Sequence, residues 1–180
     1  MTKLNYKIKL KDVKLFVFDV DGVISDGVVY LDADGEMMRN CHVRDSLAMK
    51  LALHAGIEIL IISAGTSKKV EERMRYLGVE HVRMGCYKKY EELSRFCAVN
   101  DYQLEQVLYM GDDLPDYECL SNVGVATCPN NAVQEIRFMV DYVSHIDGGQ
   151  GCVRDVIEQT LRVQGKWPNL AENPTISFEK

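Results

Sequence analysis

The chain lacks any hydrophobic run long enough to cross a membrane. Its longest apolar stretch, Ile57–Ile62, is broken by Glu58, far short of the roughly 20 residues a span needs. It also lacks the apolar segment of a signal peptide, because Met1–Lys14 alternates charged and apolar residues; the expectation is a cytoplasmic protein. No basic stripe offsets the net charge of −6, from 21 basic and 27 acidic residues, which argues against nucleic acid as the main partner. The six cysteines (Cys41, Cys86, Cys97, Cys119, Cys128, Cys152) contain no CxxC pair. Core-packing thiols in a reducing compartment are therefore expected over disulfides or zinc. Low-complexity segments and internal repeats are absent as well.

What is present is an ordinary globular balance, with 180 residues, 47% hydrophobic and 27% charged, which excludes a disordered or fibrous chain. At roughly 100–200 residues per domain, one domain is expected, assigned to residues 1–166. It carries a hairpin insert at about 27–40 and is followed by a tail, 167–180, of low hydrophobic content and expected mobility.

Val13–Phe18 is apolar and β-prone and reads as a buried strand. Val28–Leu31 and Glu36–Arg39 flank Asp32-Ala33-Asp34-Gly35, which is hairpin turn chemistry. Asp45–Ala55 places Leu47, Leu51 and Ala55 on one helical face and stops at Gly56. Further strands are expected at Ile57–Ile62, His81–Met84, Gln106–Met110, Val123–Ala126 and Val140–Val143. Helices are expected at Ser67–Leu77, Lys89–Val99, Asp116–Ser121, Asn131–Phe138 and Cys152–Val163. This alternation predicts an α/β, Rossmann-like three-layer sandwich with a mostly parallel central sheet and the β-hairpin inserted after the first strand.

In such sheets ligands bind beyond the carboxyl ends of the strands. Asp19-Val20-Asp21-Gly22 follows the first strand, Ser63-Ala64-Gly65 the next buried one, and Gly111-Asp112-Asp113-Leu114-Pro115-Asp116 the strand at 106–110; Lys89 opens a helix. Crowded carboxylates must be protonated or share a cation, and oxygen-only ligands suit Mg²⁺ beside a phosphate. Asp19 is then the expected nucleophile, forming an aspartyl-phosphate. Asp21 is placed to act as acid to the leaving oxygen and then as base to water. Asp112 completes the metal site, with Asp113 and Asp116 behind it. Ser63, the backbone at Ala64 and Gly65, and Lys89 hold the phosphoryl oxygens.

Singly, each piece has a blander meaning. A DxDG is often just a loop, a serine after a strand is often a helix cap, a lysine is usually solvated, and Gly-Asp-Asp is a common turn. The four in this order at successive strand ends are far more specific.

Together they resemble the haloacid dehalogenase superfamily, with Asp19-Val20-Asp21 as its first motif, Ser63 its second, Lys89 its third, and Gly111-Asp112 with Asp116 its fourth. Within it, Asp19–Leu31, Val43-Arg44-Asp45, Gly111-Asp112-Asp113-Leu114, Gly148-Gly149-Gln150-Gly151-Cys152-Val153-Arg154 and Gln164-Gly165-Lys166 resemble the capless 3-deoxy-D-manno-octulosonate 8-phosphate phosphatase family, from about Lys11 to Lys166. The resemblance implies a Mg²⁺-dependent phosphatase that releases a sugar acid in lipopolysaccharide synthesis. It places the ion on the Asp19 carboxylate, the Asp21 backbone carbonyl and Asp112. The second motif of that family usually reads Thr-Gly-Arg; here it is Ser63-Ala64-Gly65. The hydroxyl survives, the arginine does not, and the choice between an eight- and a nine-carbon sugar acid phosphate stays open. Arg44, Arg73 and Arg154 are the candidate substrate contacts, Arg154 after a glycine-rich segment read as flexible, while Asp45 is read as a helix cap.

The hairpin has apolar groups on both faces (Val28, Val29, Tyr30, Leu31, Met37, Met38), more than one sheet edge can bury. No second folded domain fits at this insertion point. The resemblance implies a homotetramer in which a neighbouring subunit covers each active site. Two readings compete with the phosphatase. A non-catalytic assembly module has no need of clustered carboxylates. A phospho-acceptor signalling domain carries its accepting aspartate after a later strand.

Overall fold

The computed structural model describes residues 5–33, 37–169 and 171–172. A six-stranded sheet forms its middle, in the order β5-β4-β1-β6-β7-β8, and every pairing in it is parallel. The strands are β1 (Leu15–Phe18), β4 (Glu58–Ile62), β5 (His81–Arg83), β6 (Val107–Met110), β7 (Val125–Cys128) and β8 (Tyr142–Val143). A separate antiparallel pair, β2 (Tyr30–Leu31) and β3 (Met37–Met38), makes the hairpin.

β1 is central and wholly buried, so its alternation shows which residues serve which face. Phe16 and Phe18 join one core with α2 (Val43–His54), α3 (Lys68–Tyr76) and α7 (Cys152–Val163). Leu15 and Val17 join the other with α4 (Lys89–Val99), α5 (Tyr117–Asn122) and α6 (Gln134–Met139). Phe18 is level with Ile61 on one side and Met110 on the other. In a parallel sheet with that register, Asp19, Ser63 and Asp112 must emerge along one edge.

Most expected elements form within a residue or two of their expected limits, and the helices Lys89–Val99 and Cys152–Val163 match theirs. α7 buries Val153, Val156, Ile157, Thr160 and Leu161, a helical stripe against the sheet. β7 begins two residues later than expected. Gly124 is tied to Leu104, its amide donating to that carbonyl at 2.8 Å, before the chain is free to pair. A short helix α1 (Tyr6–Lys9), capped by the Asn5 side chain, is too brief for periodicity to announce. All six cysteines are free thiols, four of them buried.

Three local readings change. The hairpin strands shrink to two residues each, and part of the expected turn, residues 34–36, lies outside the described residues. Asp45 caps no N–H of its own helix. From the first turn of α2 its buried carboxylate reaches α7, accepting the Arg154 amide at 2.6 Å and so satisfying one of the free amides of that helix start. Burial pushes the Asp45 carboxyl up to about 6, against the pull of that amide and of the Arg154 charge. The segment Gly148-Gly149 is not a flexible strap but packing material. A Cβ at Gly148 would come within 1.8 Å of the Gly22 carbonyl oxygen, and the Gly149 amide donates to Val23 O at 2.9 Å. It therefore backs the loop after β1.

Most of the tail expected to be mobile, residues 170 and 173–180, lies outside the described residues. Its first residue, Trp167, packs against the core and lies under the guanidinium groups of Arg154 and Arg162, at 5.2 and 5.5 Å. No helix among the described residues is long and apolar enough to cross a membrane.

Candidate active site

The first carboxylate is positioned by the end of β1. The Asp19 amide continues the ladder by donating to Met110 O at 3.1 Å. Its Oδ1 then accepts the Val20 amide at 2.7 Å, and Oδ2 takes the Lys89 ammonium at 2.9 Å. The chain turns at once through Val20–Ile24 in a single wide turn, closed by the Ser25 amide on Val20 O at 2.9 Å. Gly22 has φ +85°, and a Cβ there would lie 2.0 Å from Asp112 Oδ2. Only glycine lets the loops after β1 and β6 approach this closely.

Asp116 is the hub of the site and is fully buried. Its Oδ1 accepts from Lys89 Nζ and from the Tyr109 hydroxyl, both at 2.7 Å, and its Oδ2 accepts the Asp112 amide at 3.1 Å. Lys89 thus bridges Asp19 and Asp116 with a side chain that is 3% exposed. Burial alone would lower its basicity, but the charges of Asp19 and Asp116 outweigh that and hold the ammonium above its ordinary value. Burial also dominates at Asp19, raising its carboxyl to about 7, with the Asp116 charge adding and Lys89 opposing. Asp112 is likewise raised to about 7, by burial and then by the charges of Asp116 and Asp113. Tyr109 is held well above its usual range by burial and by Asp116.

Oxygens of Asp19, Asp112 and Asp116 all lie within 4.8 Å of one another. Crowded carboxyls whose ionised forms burial disfavours form a donor set that a hard cation would relieve, so these residues fit Mg²⁺. Asp116 is fully buried and accepts three hydrogen bonds on its two oxygens, whereas each oxygen of Asp19 accepts one, so Asp19 and Asp112 are the carboxylates better placed for an ion.

Ser63 is buried at the end of β4, its Oγ accepting the Gly65 amide at 3.1 Å. One cavity of about 290 Å³ brings together Asp19, Asp21, Ser63, Lys89 and Asp112, with Ala64, Gly65, Asp113 and Asp116 also on its wall. The three expected arginines do not line it. Arg44 and Arg154 line a larger cavity of about 430 Å³ beside α7. Arg73 donates to Ser46 Oγ at 3.1 Å and lines a third, of about 380 Å³, under the hairpin.

Two groups escaped the sequence reading. Tyr109 had a signal, a hydroxyl inside an otherwise apolar buried strand, which needs a partner there. Arg39, which grips Asp21 with Nε–Oδ1 at 2.5 Å and Nη2–Oδ2 at 3.1 Å, had none beyond being a charge at the foot of an apolar hairpin.

No protein-family model matches the chain. It is 37% identical over 158 residues to the 3-deoxy-D-manno-octulosonate 8-phosphate phosphatase of Salmonella typhi, covering 88% of this chain and 84% of that protein. Among solved structures, the phosphatase of that name from Yersinia pestis superposes with a TM-score of 0.88 at 32% identity, covering 90% of this chain and 88% of the other. The enzyme from Moraxella catarrhalis, solved with a magnesium ion, a phosphate ion and KDO, also gives 0.88, at 31% identity over 90% of this chain and 93% of that one. A parallel sheet with this acidic rim, and relatives this similar along most of their length, place the chain in the 3-deoxy-D-manno-octulosonate 8-phosphate phosphatase family of the haloacid dehalogenase superfamily.

Proposed function

We propose that the chain is a Mg²⁺-dependent phosphomonoesterase acting on a 2-keto-3-deoxy sugar acid phosphate, with 3-deoxy-D-manno-octulosonate 8-phosphate as first candidate. The observation that carries the reading is the gathering of Asp19, Asp112 and Asp116 within 4.8 Å of one another, with the Lys89 ammonium 2.9 Å from Asp19. The names of the relatives support the substrate class.

Asp19 attacks phosphorus, forming an aspartyl-phosphate as the bond to the sugar oxygen breaks. Asp21, on the same cavity wall, gives its proton to that oxygen. It then takes one from the water that attacks the phospho-aspartate, releasing phosphate and restoring Asp19. Lys89 favours the ionised Asp19 carboxylate against the burial that opposes it and aims it, and Asp116 aims Lys89. Ser63 Oγ and the amides that follow it meet the equatorial oxygens, where charge develops. Asp19, Asp112 and the Asp21 carbonyl would hold Mg²⁺, which when bound neutralises the dianionic phosphate among the carboxylates.

Magnesium-dependent phosphate release from a panel of eight- and nine-carbon 2-keto-3-deoxy sugar acid phosphates tests this. Release from the eight-carbon ester is expected. Asp19→Asn should abolish turnover, a loss of about 10⁴-fold or more, with an unchanged melting profile. Near-wild-type activity in that variant would remove Asp19 as nucleophile. A folded wild-type protein inert toward the whole panel would favour the assembly-module reading.

The site opens to solvent and the hairpin beside it exposes Tyr30, Leu31, Met37 and Met38. We assign that apolar surface to contact with further copies of the chain, as a homotetramer in which a neighbour covers the cavity and keeps water out.

A further inference from the structure

Asp21 differs from Asp19 and Asp116 in that its partner comes from the hairpin. Arg39, at the foot of the hairpin, offers all three faces of its guanidinium to fixed acceptors. Nε and Nη2 fork onto the two oxygens of Asp21 at 2.5 and 3.1 Å, and Nη1 donates to the Met37 carbonyl at 3.3 Å. The exposure is lopsided, with the Arg39 side chain at 3% and the Asp21 carboxylate at 35%. The carboxylate faces the cavity and the arginine stands behind it.

The space Arg39 occupies is bounded by position 65, which has no side chain. A Cβ on Gly65 would lie 2.9 Å from Asp21 Oδ2, 3.0 Å from Arg39 Nη2 and 3.4 Å from Ser63 Oγ. The hairpin and the loop after β4 therefore compete for one volume, and in this chain the hairpin fills it.

We infer that Arg39 is a positioning residue for Asp21: inserted over Gly65, it fixes the plane of the carboxylate that exchanges protons with the leaving oxygen and with water. The inference rests on the role proposed above for Asp21. A forked pair sets both the direction and the rotation of a carboxylate, and proton transfer needs that geometry. A lysine, which offers one point of contact, does not preserve it, and a β-carbon at 65 would press on the ends of both side chains. The hairpin thereby acquires a task inside its own subunit, distinct from any contact with a neighbour.

Leaving-group dependence separates this from a structural role. A sugar alkoxide must be protonated as it departs, whereas 4-nitrophenolate departs unprotonated. In a single turnover, which reads phosphoryl transfer to Asp19 apart from the water step common to both substrates, Arg39→Ala should slow that transfer about 10- to 100-fold on the sugar acid phosphate, leave substrate affinity within about three-fold, and slow it less than about three-fold on 4-nitrophenyl phosphate. Arg39→Lys should recover only part of the loss. Gly65→Ala should repeat the pattern in weaker form, and its effect should shrink in the Arg39→Ala background, where the crowding is gone. Equal losses on both substrates, or none on either, would overturn the assignment, as would strict additivity of Gly65→Ala and Arg39→Ala. The two failures are distinguishable. A wild-type protein without magnesium-dependent phosphatase activity removes the Asp21 role and this inference with it; an active wild type with a fully active Arg39→Ala removes this inference alone.

Discussion

At the carboxyl ends of β1 and β6, Asp19, Lys89 and Asp116 are buried, and each is matched by another charge within 2.9 Å. A few residues beyond β1, the hairpin does the opposite, presenting Leu31 at 70% and Tyr30 at 56% exposure with little of its own structure to cover them. Charge inside and apolar surface outside both run against the usual partition, and each is tolerable only with a partner. On the rim the partners are within the chain. On the hairpin Arg39 has found one within the chain, while Tyr30, Leu31, Met37 and Met38 are left facing outward. The comparison separates chemistry that one subunit can complete from surface that it cannot.

The sharpest way to break the comparison is to remove the central ammonium. Lys89→Met should lower turnover by about 10³-fold. It should also destabilise the metal-free protein by about 3–5 kcal/mol, since Asp19 and Asp116 would then face each other without a cation. Steady-state kinetics, and urea unfolding in the presence of a chelator, measure both. Unchanged stability would mean the rim does not depend on internal matching.

Asp45 extends the contrast to a buried carboxylate whose partner is a helix start instead of a cation. Its folded-state value of about 6 lies above the roughly 3.9 of an unfolded aspartate, so between these pH values the native chain holds a proton that the unfolded chain has released. Stability from this group is therefore full below pH of about 4 and falls as pH rises through about 6, by at most about 1.4 kcal/mol per pH unit. Chemical denaturation across this range should show a shallower slope for Asp45→Asn than for wild type; identical slopes would refute the burial argument.

Magnesium should report on the rim in the same way. Asp19 and Asp112, both raised to about 7, must lose protons to bind an ion, so affinity should fall as pH drops through 7, by about ten-fold per unit when one proton is displaced. Calorimetry in buffers of different ionisation enthalpy counts the protons. Asp112→Asn should bind more weakly and release fewer.

The smallest effect is expected at the hairpin. Leu31→Glu with Met37→Glu should convert the proposed homotetramer to monomers in sedimentation velocity, leave the melting of the sheet domain within a few degrees, and reduce kcat/KM by about ten-fold through loss of the proposed covering neighbour. A wild-type chain that sediments as a monomer would show that the exposed apolar groups have no such partner.

Much of this was readable because it is local. A residue that follows a buried parallel strand has to stand at the sheet's edge, so Asp19, Ser63 and Asp112 could be gathered from periodicity alone. Gly22 was visible as part of a motif, but its reason, the 2.0 Å that separates a would-be Cβ from Asp112 Oδ2, was not. Glycines 148 and 149 read as flexible because the sequence does not say what lies beside them. Arg44, Arg73 and Arg154 carry the right charge for a sugar acid, yet within one subunit they face other cavities.

The sequence by itself determined the layers, the order of acids along the rim and the apolar character of the hairpin, because strand and helix periods and strand-end chemistry are set by near neighbours. Tertiary structure alone decided that Lys89 would bridge Asp19 and Asp116, that Asp45 would cap a helix 109 positions away, and that Arg39 would fill the space over Gly65. Hydrogen bonds and charge pairs act over a few ångströms through space, and the backbone path between such partners carries no mark of the distance at which folding leaves them.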